Sequence, residues 1–511
     1  MELELRKETY SCYDALPPVT QMCEQSMETI IPDYCPDIAR VVESSGCLFL
    51  RSCEVTEGKA VVSGTLRVTL LYIADGNGGL KSFEYPIAFE QTMETRLRDG
   101  CTKAHCTGTI QALETRTLNP RKITTRVSFC LTVIPYSEAR LSVCTGIDGQ
   151  SDYGIETLCE TQEVTLIQAV YEKDFVFSDD LLLSSGKEPA SELLRSRVQP
   201  RVTECRCLGS KMILKGTVCV ALLYLSEAGT LCRAEGELPF SQILDGMEGA
   251  DDGTSCEAFV QLTGMELRIG GEENNARSVG VKLFLHAFAL LRQRRTLPCI
   301  TDLYSVDHEL SAQMQTLELC SGVQTVSHEQ MVREQLETGV EPSDVLLAEV
   351  SFGNAGMVRE EKEALVRCTA AVRVLYLDEG GAPLLAERRI ELSTRAAVAP
   401  DCRSDVTDVT AREISAAVSA SGIEVRFPAL FTLECAEIHR SVSLCALKAE
   451  PLAEGGSAAP SLVLRAFAPG QKLWDLAKEY RTTVAEILSA NEFTGDTDAE
   501  VGEMLLIPRK R

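Results

Sequence analysis

The sequence predicts a mainly β protein: three tandem β-rich repeat domains, sandwich- or barrel-like, followed by a small C-terminal βααβ module. Three observations predict this. A strand-like segment recurs with a period near 152 residues, a glycine-containing turn follows each copy, and the apolar pattern becomes helical after residue 460. A chain of 511 residues is also too long for one core. We expect domains at residues 1–150, 151–303 and 304–448, a linker at 449–460 and the module at 461–511.

The recurring segment runs from Lys59 to Tyr72 and returns as Lys211–Tyr224, with a weaker third copy at Glu363–Tyr376. The three tyrosines are 152 residues apart. Prolines upstream, at positions 36, 189 and 342, are 153 residues apart. A period of this length indicates repeated domains that each own a core, rather than a solenoid.

Apolar and other residues alternate along the first copy, from Val62 to Tyr72, which is a strand pattern. Gly64 and Gly216 interrupt their strands at the same place, which indicates a bulge or a close backbone approach, whereas the third copy has Cys368 there. A turn and a returning strand follow, so each copy predicts a hairpin. Further predicted strands are Phe83–Phe89, Leu231–Phe240, Ile123–Ile134, Val279–Leu291 and Ile423–Cys435, and one short helix is predicted at Pro36–Val42.

The C-terminal module follows a stretch rich in glycine and proline, which reads as a flexible linker. Ser461–Phe467 predicts a strand, and Met504–Pro508 predicts a closing one. Between them, Thr483 with Glu486 forms a capping box that opens a second helix. The first helix is predicted from one apolar face, made by Leu473, Leu476, Ala477 and Tyr480.

Composition excludes several classes of function. The formal charge of −25 argues against non-specific binding to nucleic acid or anionic lipid. We expect no signal peptide and no membrane insertion, hence a cytoplasmic protein whose 21 cysteines are mostly reduced, buried thiols.

No common catalytic motif occurs, and the five histidines stand in no recognisable relation to a nucleophile. The cysteines and histidine at positions 101, 105, 106, 205 and 207 lack the paired spacing of zinc ligands, so structural thiols are the favoured interpretation. We expect no enzyme, no catalytic or metal-binding residues and no cofactor.

The module resembles a LysM domain, a small glycan-binding module, in its Pro469-Gly470 turn, the Leu473-Trp474-x-Leu476-Ala477 run, Asn491 and the final Leu506-Ile507-Pro508. Gln471 replaces the usual acidic residue. Trp474, the only tryptophan, either packs on the module's own core or belongs to a binding surface. The resemblance implies a partner- or glycan-binding surface formed by Pro469, Gly470, Gln471, Lys472, Trp474, Asn491, Glu492 and Phe493.

Three β-rich repeats ending in a LysM domain resemble the SPOCS-domain spore-coat morphogenetic proteins. The resemblance implies a non-enzymatic scaffold or adaptor of spore coat assembly in the mother-cell cytoplasm, at the forespore surface. Its expected partners are a spore coat morphogenetic ATPase (SpoIVA-like) and other coat proteins. The alternative is a cell-wall protein that binds peptidoglycan or another glycan through LysM.

Overall fold

The computed structural model describes residues 1–56, 58–76, 79–95, 101–245, 253–271, 275–360, 362–400, 402–452, 461–493 and 501–509. Strands dominate, as the sequence predicted: 23 strands and two α-helices occur within these ranges. The strands fall into three consecutive sets that repeat one topology, and the helices lie together near the C-terminus.

Repeat 1 contains seven strands and ends in a short 3-10 turn, Gln150–Tyr153. Its strands are β1 (Leu5–Ala15), β2 (Val19–Ile30), β3 (Ile38–Thr56), β4 (Lys59–Ala74), β5 (Leu80–Glu94), β6 (Cys101–Asn119) and β7 (Lys122–Ile147). Repeat 2 contains β8 (Ile155–Leu182), β9 (Ala190–Leu208), β10 (Lys211–Ser226), β11 (Leu231–Asp245), β12 (Thr254–Gly270) and β13 (Asn275–Ser305).

Repeat 3 follows the same order with two additional short strands. It contains β14 (His308–Leu336), β15 (Pro342–Phe352), β16 (Gly356–Glu360), β17 (Glu363–Asp378), β18 (Pro383–Ala397), β19 (Cys402–Ala411), β20 (Ser415–Ser419) and β21 (Gly422–Pro451). The C-terminal module contains β22 (Leu462–Ala466), α1 (Leu473–Tyr480), α2 (Val484–Ala490) and β23 (Met504–Pro508).

Each repeat is a two-layer sandwich, which resolves the choice between sandwich and barrel. In repeat 1 the sheet β3-β4-β5 faces a second sheet that contains β2, β7 and β6. Leu66 and Tyr72 from the first sheet and Phe129 and Val133 from the second are fully buried in one core. Repeats 2 and 3 form equivalent cores around β10 and β17. The alternating apolar residues of the recurring strand therefore face the sandwich core.

The glycines of the recurring strand permit a close approach, as predicted. A Cβ atom at Gly64 would lie 2.4 Å from the carbonyl oxygen of Phe49 and 2.6 Å from Cζ of Phe89. The register shifts beside both Gly64 and Gly216, which is the expected bulge. In repeat 3 the residue opposite Cys368 is Leu392 rather than phenylalanine. A smaller partner leaves room for a larger residue on the central strand.

The first and last strands of each repeat pair along their whole length and extend beyond the sandwich as a two-stranded ribbon. In repeat 2 the pairing runs from Leu182 with Ser278 to Ile155 with Ser305. The far ends of the three ribbons pack against one another. Val143, Leu297 and Leu317, one from each repeat, share a buried cluster, and a second shared cluster lies nearby. Each repeat therefore has a core of its own, with Phe49 of repeat 1 reaching into the core of repeat 2, and the three repeats share a stem.

The three sandwiches surround a common axis. Leu71, Leu223 and Leu375 occupy equivalent positions, 152 residues apart, and all three are buried in one cluster. Val42, Leu194 and Leu346 have the same spacing and join the same cluster. Because equivalent side chains of all three repeats meet, the chain forms an internal pseudo-trimer.

Three sequence-based expectations need correction. Pro36–Val42 is not a helix: β3 begins at Ile38 because this segment pairs with β4, and β-branched residues suit a strand. The upstream prolines are not equivalent, since Pro342 aligns with Ala190 and Ile38 as the first residue of its strand. Residues 449–451 continue β21 rather than belonging to the linker. The remaining linker residues 453–460 lie outside the described residues.

Candidate functional site

The C-terminal module has the predicted βααβ order, with β22 and β23 paired antiparallel. Leu473, Leu476 and Ala477 from α1 are buried, which confirms the apolar face predicted for the first helix, and Ile487 from α2 is buried beside them. The capping box of α2 is also confirmed. The backbone N–H of Glu486 donates to Thr483 Oγ1 at 3.1 Å, and that of Thr483 donates to Glu486 Oε2 at 3.3 Å.

The module packs on the connection between repeats 2 and 3. Tyr304 and Val306, near the turn from β13 to β14, are buried in the apolar core of the module. The hydroxyl of Tyr304 donates to the carbonyl oxygen of Thr482 at 2.8 Å. Its ring meets that of Trp474 edge to face, with centroids 4.9 Å apart. The module is therefore docked on the repeats.

Three polar side chains on one face of α1 and its C-terminal end complete this contact. Trp474 Nε1 donates to Asp302 Oδ2 at 2.8 Å, and Lys478 Nζ lies 2.5 Å from Asp302 Oδ1. Arg481 pairs with Glu309. Residues 474, 478 and 481 are neighbours on a helix, so one surface carries all three. Burial raises the pKa of the Asp302 carboxyl, but Lys478 and Trp474 outweigh it and hold the pKa below 3.8.

Trp474 is thus half-buried in an intramolecular contact. Its indole N–H is already bonded to Asp302 and its ring packs on Tyr304. Sequence reasoning left open whether this residue serves the core or a binding surface. The side chain packs on the module's own core, and in the docked arrangement it also joins the module to the repeats.

The loop between β22 and α1 is more open. Pro469, Gly470 and Lys472 are exposed, and Gly470 has φ of 76°, the left-handed region that favours glycine. The side-chain oxygen of Gln471 accepts from the backbone N–H of Ala468 at 3.3 Å, which closes the turn. A ligand or partner therefore has free access to a proline, a glycine and a lysine here.

The residues after α2 divide into two groups. Asn491 is committed to the fold: Nδ2 donates to the carbonyl oxygens of Ile487 and Leu506, and Oδ1 accepts from the N–H of Leu506, each at 2.8 Å. Phe493 packs on the module core. Glu492 is exposed with φ of 58°. Of the three residues predicted to bind a partner or glycan in this loop, only Glu492 has a side chain that is exposed and not used by the fold.

One exposed surface was missed by the sequence analysis. Leu462 and Leu464 on β22 and Met504 on β23 are 52%, 58% and 51% exposed, on the face of the sheet turned away from the helices. The signal was present, because Leu462 and Leu464 alternate with Val463, which packs on the core.

Of the candidate metal ligands, His105 lies in apolar surroundings, and the side chain of Cys101 is outside the described part of the structure. His105 packs between the rings of Phe259 and Phe288, and burial lowers its pKa to about 4. Across the described ranges, no group of three or more histidine, cysteine, aspartate or glutamate side chains is arranged to hold a metal ion. Of the helices in those ranges, none has the length and apolar character needed to cross a membrane.

Comparison with known families defines the class of protein. The model of the SipL family, SPOCS domain, matches residues 37–116 and 189–269, and that of the LysM domain matches residues 468–508. The first two segments cover β3–β6 and β9–β12, which confirms the resemblance drawn from the sequence. No curated protein and no solved structure matches the chain.

The chain therefore carries two SPOCS segments and a C-terminal LysM domain, a combination that makes it similar to SipL-like proteins related to sporulation. The third repeat carries the same strand order at the same 152-residue spacing. Both domain families are non-catalytic.

Proposed function

We propose that this protein is a non-enzymatic scaffold of spore coat assembly that docks through its LysM domain to a SpoIVA-like coat ATPase. It would act in the mother-cell cytoplasm, at the forespore surface, where it recruits other coat proteins. The observation that carries the proposal is the union of SPOCS repeats with a LysM domain that is docked on them.

The docked arrangement suits a scaffold. Binding to a freely tethered domain leaves the orientation of the remaining protein undetermined, whereas a docked domain fixes it. The contact around Asp302 holds LysM on the junction of repeats 2 and 3, and the loop at 469–472 stays exposed. A partner bound at that loop would meet the three repeats in one orientation.

The exposed charges of this surface, Lys472 and Glu492, allow a direct test with the full-length chain. Binding to a purified SpoIVA-like ATPase would be measured by biolayer interferometry for the variant Lys472→Ala/Glu492→Ala. The matched control is Lys448→Ala, which removes an exposed lysine from repeat 3. We expect at least tenfold weaker binding for the double variant and unchanged binding for the control.

Equal affinity of both variants would show that the 469–472 and 492 surface does not bind the ATPase. Absence of binding by the wild-type chain would overturn the proposed partner itself. Far-ultraviolet circular dichroism of each variant confirms that the strands are intact.

The alternative is a protein that binds peptidoglycan or a related glycan, which the LysM match at residues 468–508 favours. Co-sedimentation of the full-length chain with purified peptidoglycan tests it. The glycan-binding hypothesis would be favoured if the wild-type chain is retained on peptidoglycan and does not bind the ATPase, and if the variant Lys472→Ala/Glu492→Ala is not retained.

A further inference from the structure

A cavity of about 560 Å³ lies where the three sandwiches meet, and all three repeats line it. We call it the axial cavity. Ser45, Arg197 and Glu349 line it from equivalent positions of the three repeats, 152 residues apart. This volume falls in the range of small-molecule sites.

The axial cavity is positively charged although the chain carries a net charge of −25. Five arginines and three glutamates line it, an excess of two positive charges. Three further charged residues contact this lining: Glu43 pairs with Arg195, Arg116 pairs with Glu114, and Glu84 accepts a hydrogen bond from Thr69. With these included, the excess is one positive charge. The lining arginines are Arg67, Arg195, Arg197, Arg373 and Arg389.

Part of this charge is needed to hold the repeats together. Arg195 is 5% exposed and bridges Glu43 of repeat 1 and Glu349 of repeat 3. Arg373 contacts Glu43 and Glu387. Burial raises the pKa of Glu349, but the neighbouring arginines outweigh it and lower the pKa to about 2. These pairs form an internal ion network, and the network accounts for the presence of Arg195 and Arg373 at the cavity.

The network does not explain Arg67 and Arg389. Within the described part of the chain Arg67 forms no ion pair with a carboxylate: its guanidinium lies over the ring of Phe49 and donates to the carbonyl oxygen of Met265 at 2.9 Å. Among the described residues Arg389 pairs only with Glu387, at 3.7 Å, and that carboxylate also pairs with Arg373. The side chain of Arg389 is 58% exposed. Two guanidinium groups therefore have hydrogen-bond donors to spare at one cavity.

We propose that the axial cavity binds a compact multivalent oxyanion, of the phosphate or polycarboxylate class, through Arg67 and Arg389. Guanidinium groups match the paired oxygens of phosphates and carboxylates, and an anion neutralises the excess charge. Because Arg67 belongs to repeat 1 and Arg389 to repeat 3, a bound anion would join these two repeats and stabilise their arrangement. This site is distinct from the LysM surface and does not depend on the function proposed for it.

Isothermal titration calorimetry with the full-length chain tests the proposal, using inorganic phosphate, pyrophosphate and citrate as separate probes in chloride buffer of constant ionic strength. We expect saturable binding of one anion per chain for at least one probe. Preference for pyrophosphate over citrate would identify a phosphoryl ligand, and the reverse a polycarboxylate. No saturable binding of any probe up to roughly 10 mM would overturn the proposal.

Two variants and a matched control locate the site. Arg389→Gln and Arg67→Gln should each weaken binding at least tenfold, whereas Arg388→Gln should leave it unchanged. Arg388 is the neighbouring residue on β18, pairs with Glu334 and does not line the cavity. Arg389 is exposed enough for its variant to fold even if Arg67→Gln does not. Equal weakening by Arg388→Gln, or none by Arg389→Gln, would place the anion elsewhere and overturn the assignment.

Discussion

Asp302 is the residue through which the docking of LysM on the repeats is most directly tested. It accepts hydrogen bonds from both Trp474 and Lys478, which lie on α1 of the module. Asp302→Asn keeps the size of the side chain but removes its charge and one acceptor. The variant should therefore weaken the docking of LysM on repeats 2 and 3 without unfolding either part.

The expected magnitude follows from the two contacts. A hydrogen bond to a charged group contributes about 1.5–3 kcal/mol when well shielded. The side chain of Asp302 is 36% exposed and that of Lys478 is 44% exposed, so solvent screening reduces the total to about 1–2 kcal/mol. The ratio of undocked to docked LysM should then rise by about 5- to 30-fold.

Trp474 is the only tryptophan in the chain, so its fluorescence reports on this contact alone. Acrylamide quenching of the emission should increase in Asp302→Asn and stay at the wild-type value in Asp307→Asn, which removes an exposed aspartate five residues away. Quenching that is equal in Asp302→Asn, Asp307→Asn and wild type would refute the reasoning.

The same contact predicts a pH dependence. Because the pKa of Asp302 is depressed when LysM is docked, the stabilisation is fully present above the ordinary pKa of 3.8. It is lost as pH falls through the lower pKa of the docked state, so quenching of wild type should rise only below about pH 4.

Two further predictions concern the repeats. In Gly216→Ala a Cβ atom would lie 2.3 Å from both the carbonyl oxygen of Arg201 and Cζ of Phe240, so chemical denaturation should show a loss of about 1–3 kcal/mol. A loss below 0.5 kcal/mol would mean that β10 shifts freely. Arg195→Met leaves the buried carboxylate of Glu43 and the partly buried carboxylate of Glu349 without their main partner, and should cost about 3–5 kcal/mol, measured by urea denaturation at pH 7. An unchanged midpoint would contradict the role given to the ion network.

Local sequence patterns predicted the strands and helices, but they did not predict which of these elements pack against one another. The alternation from Val62 to Tyr72 and the capping box at Thr483 were read correctly because period two and cap chemistry are local properties of the chain. The Pro36–Val42 segment was misread as a helix because proline favours both helix starts and strand starts, and pairing with β4 decided between them.

The contact between LysM and the repeats could not be predicted from the sequence, for a different reason. Asp302 and Trp474 are separated by 172 residues, and nothing in either local pattern refers to the other. The same holds for the shared stem, where Leu297 and Leu317 read as ordinary strand residues. The residues that these leucines contact depend on which two-stranded ribbons pack together. That packing, and the register of the strands, are determined only in the folded structure.

The axial ion network requires three repeats that differ in sequence, and a single chain that carries all three repeats supplies them. Glu43, Arg195 and Leu347 occupy equivalent positions, so a trimer of identical repeats would place three like charges or three leucines at the same axis. Three equivalent glutamates would repel one another and be costly to bury, whereas a glutamate, an arginine and a leucine pair two charges and satisfy the third position with an apolar side chain. Because the three repeats are parts of one chain, their sequences can differ at equivalent positions. Charges of opposite sign can therefore meet at the axis, and the lining of the axial cavity can carry a net positive charge.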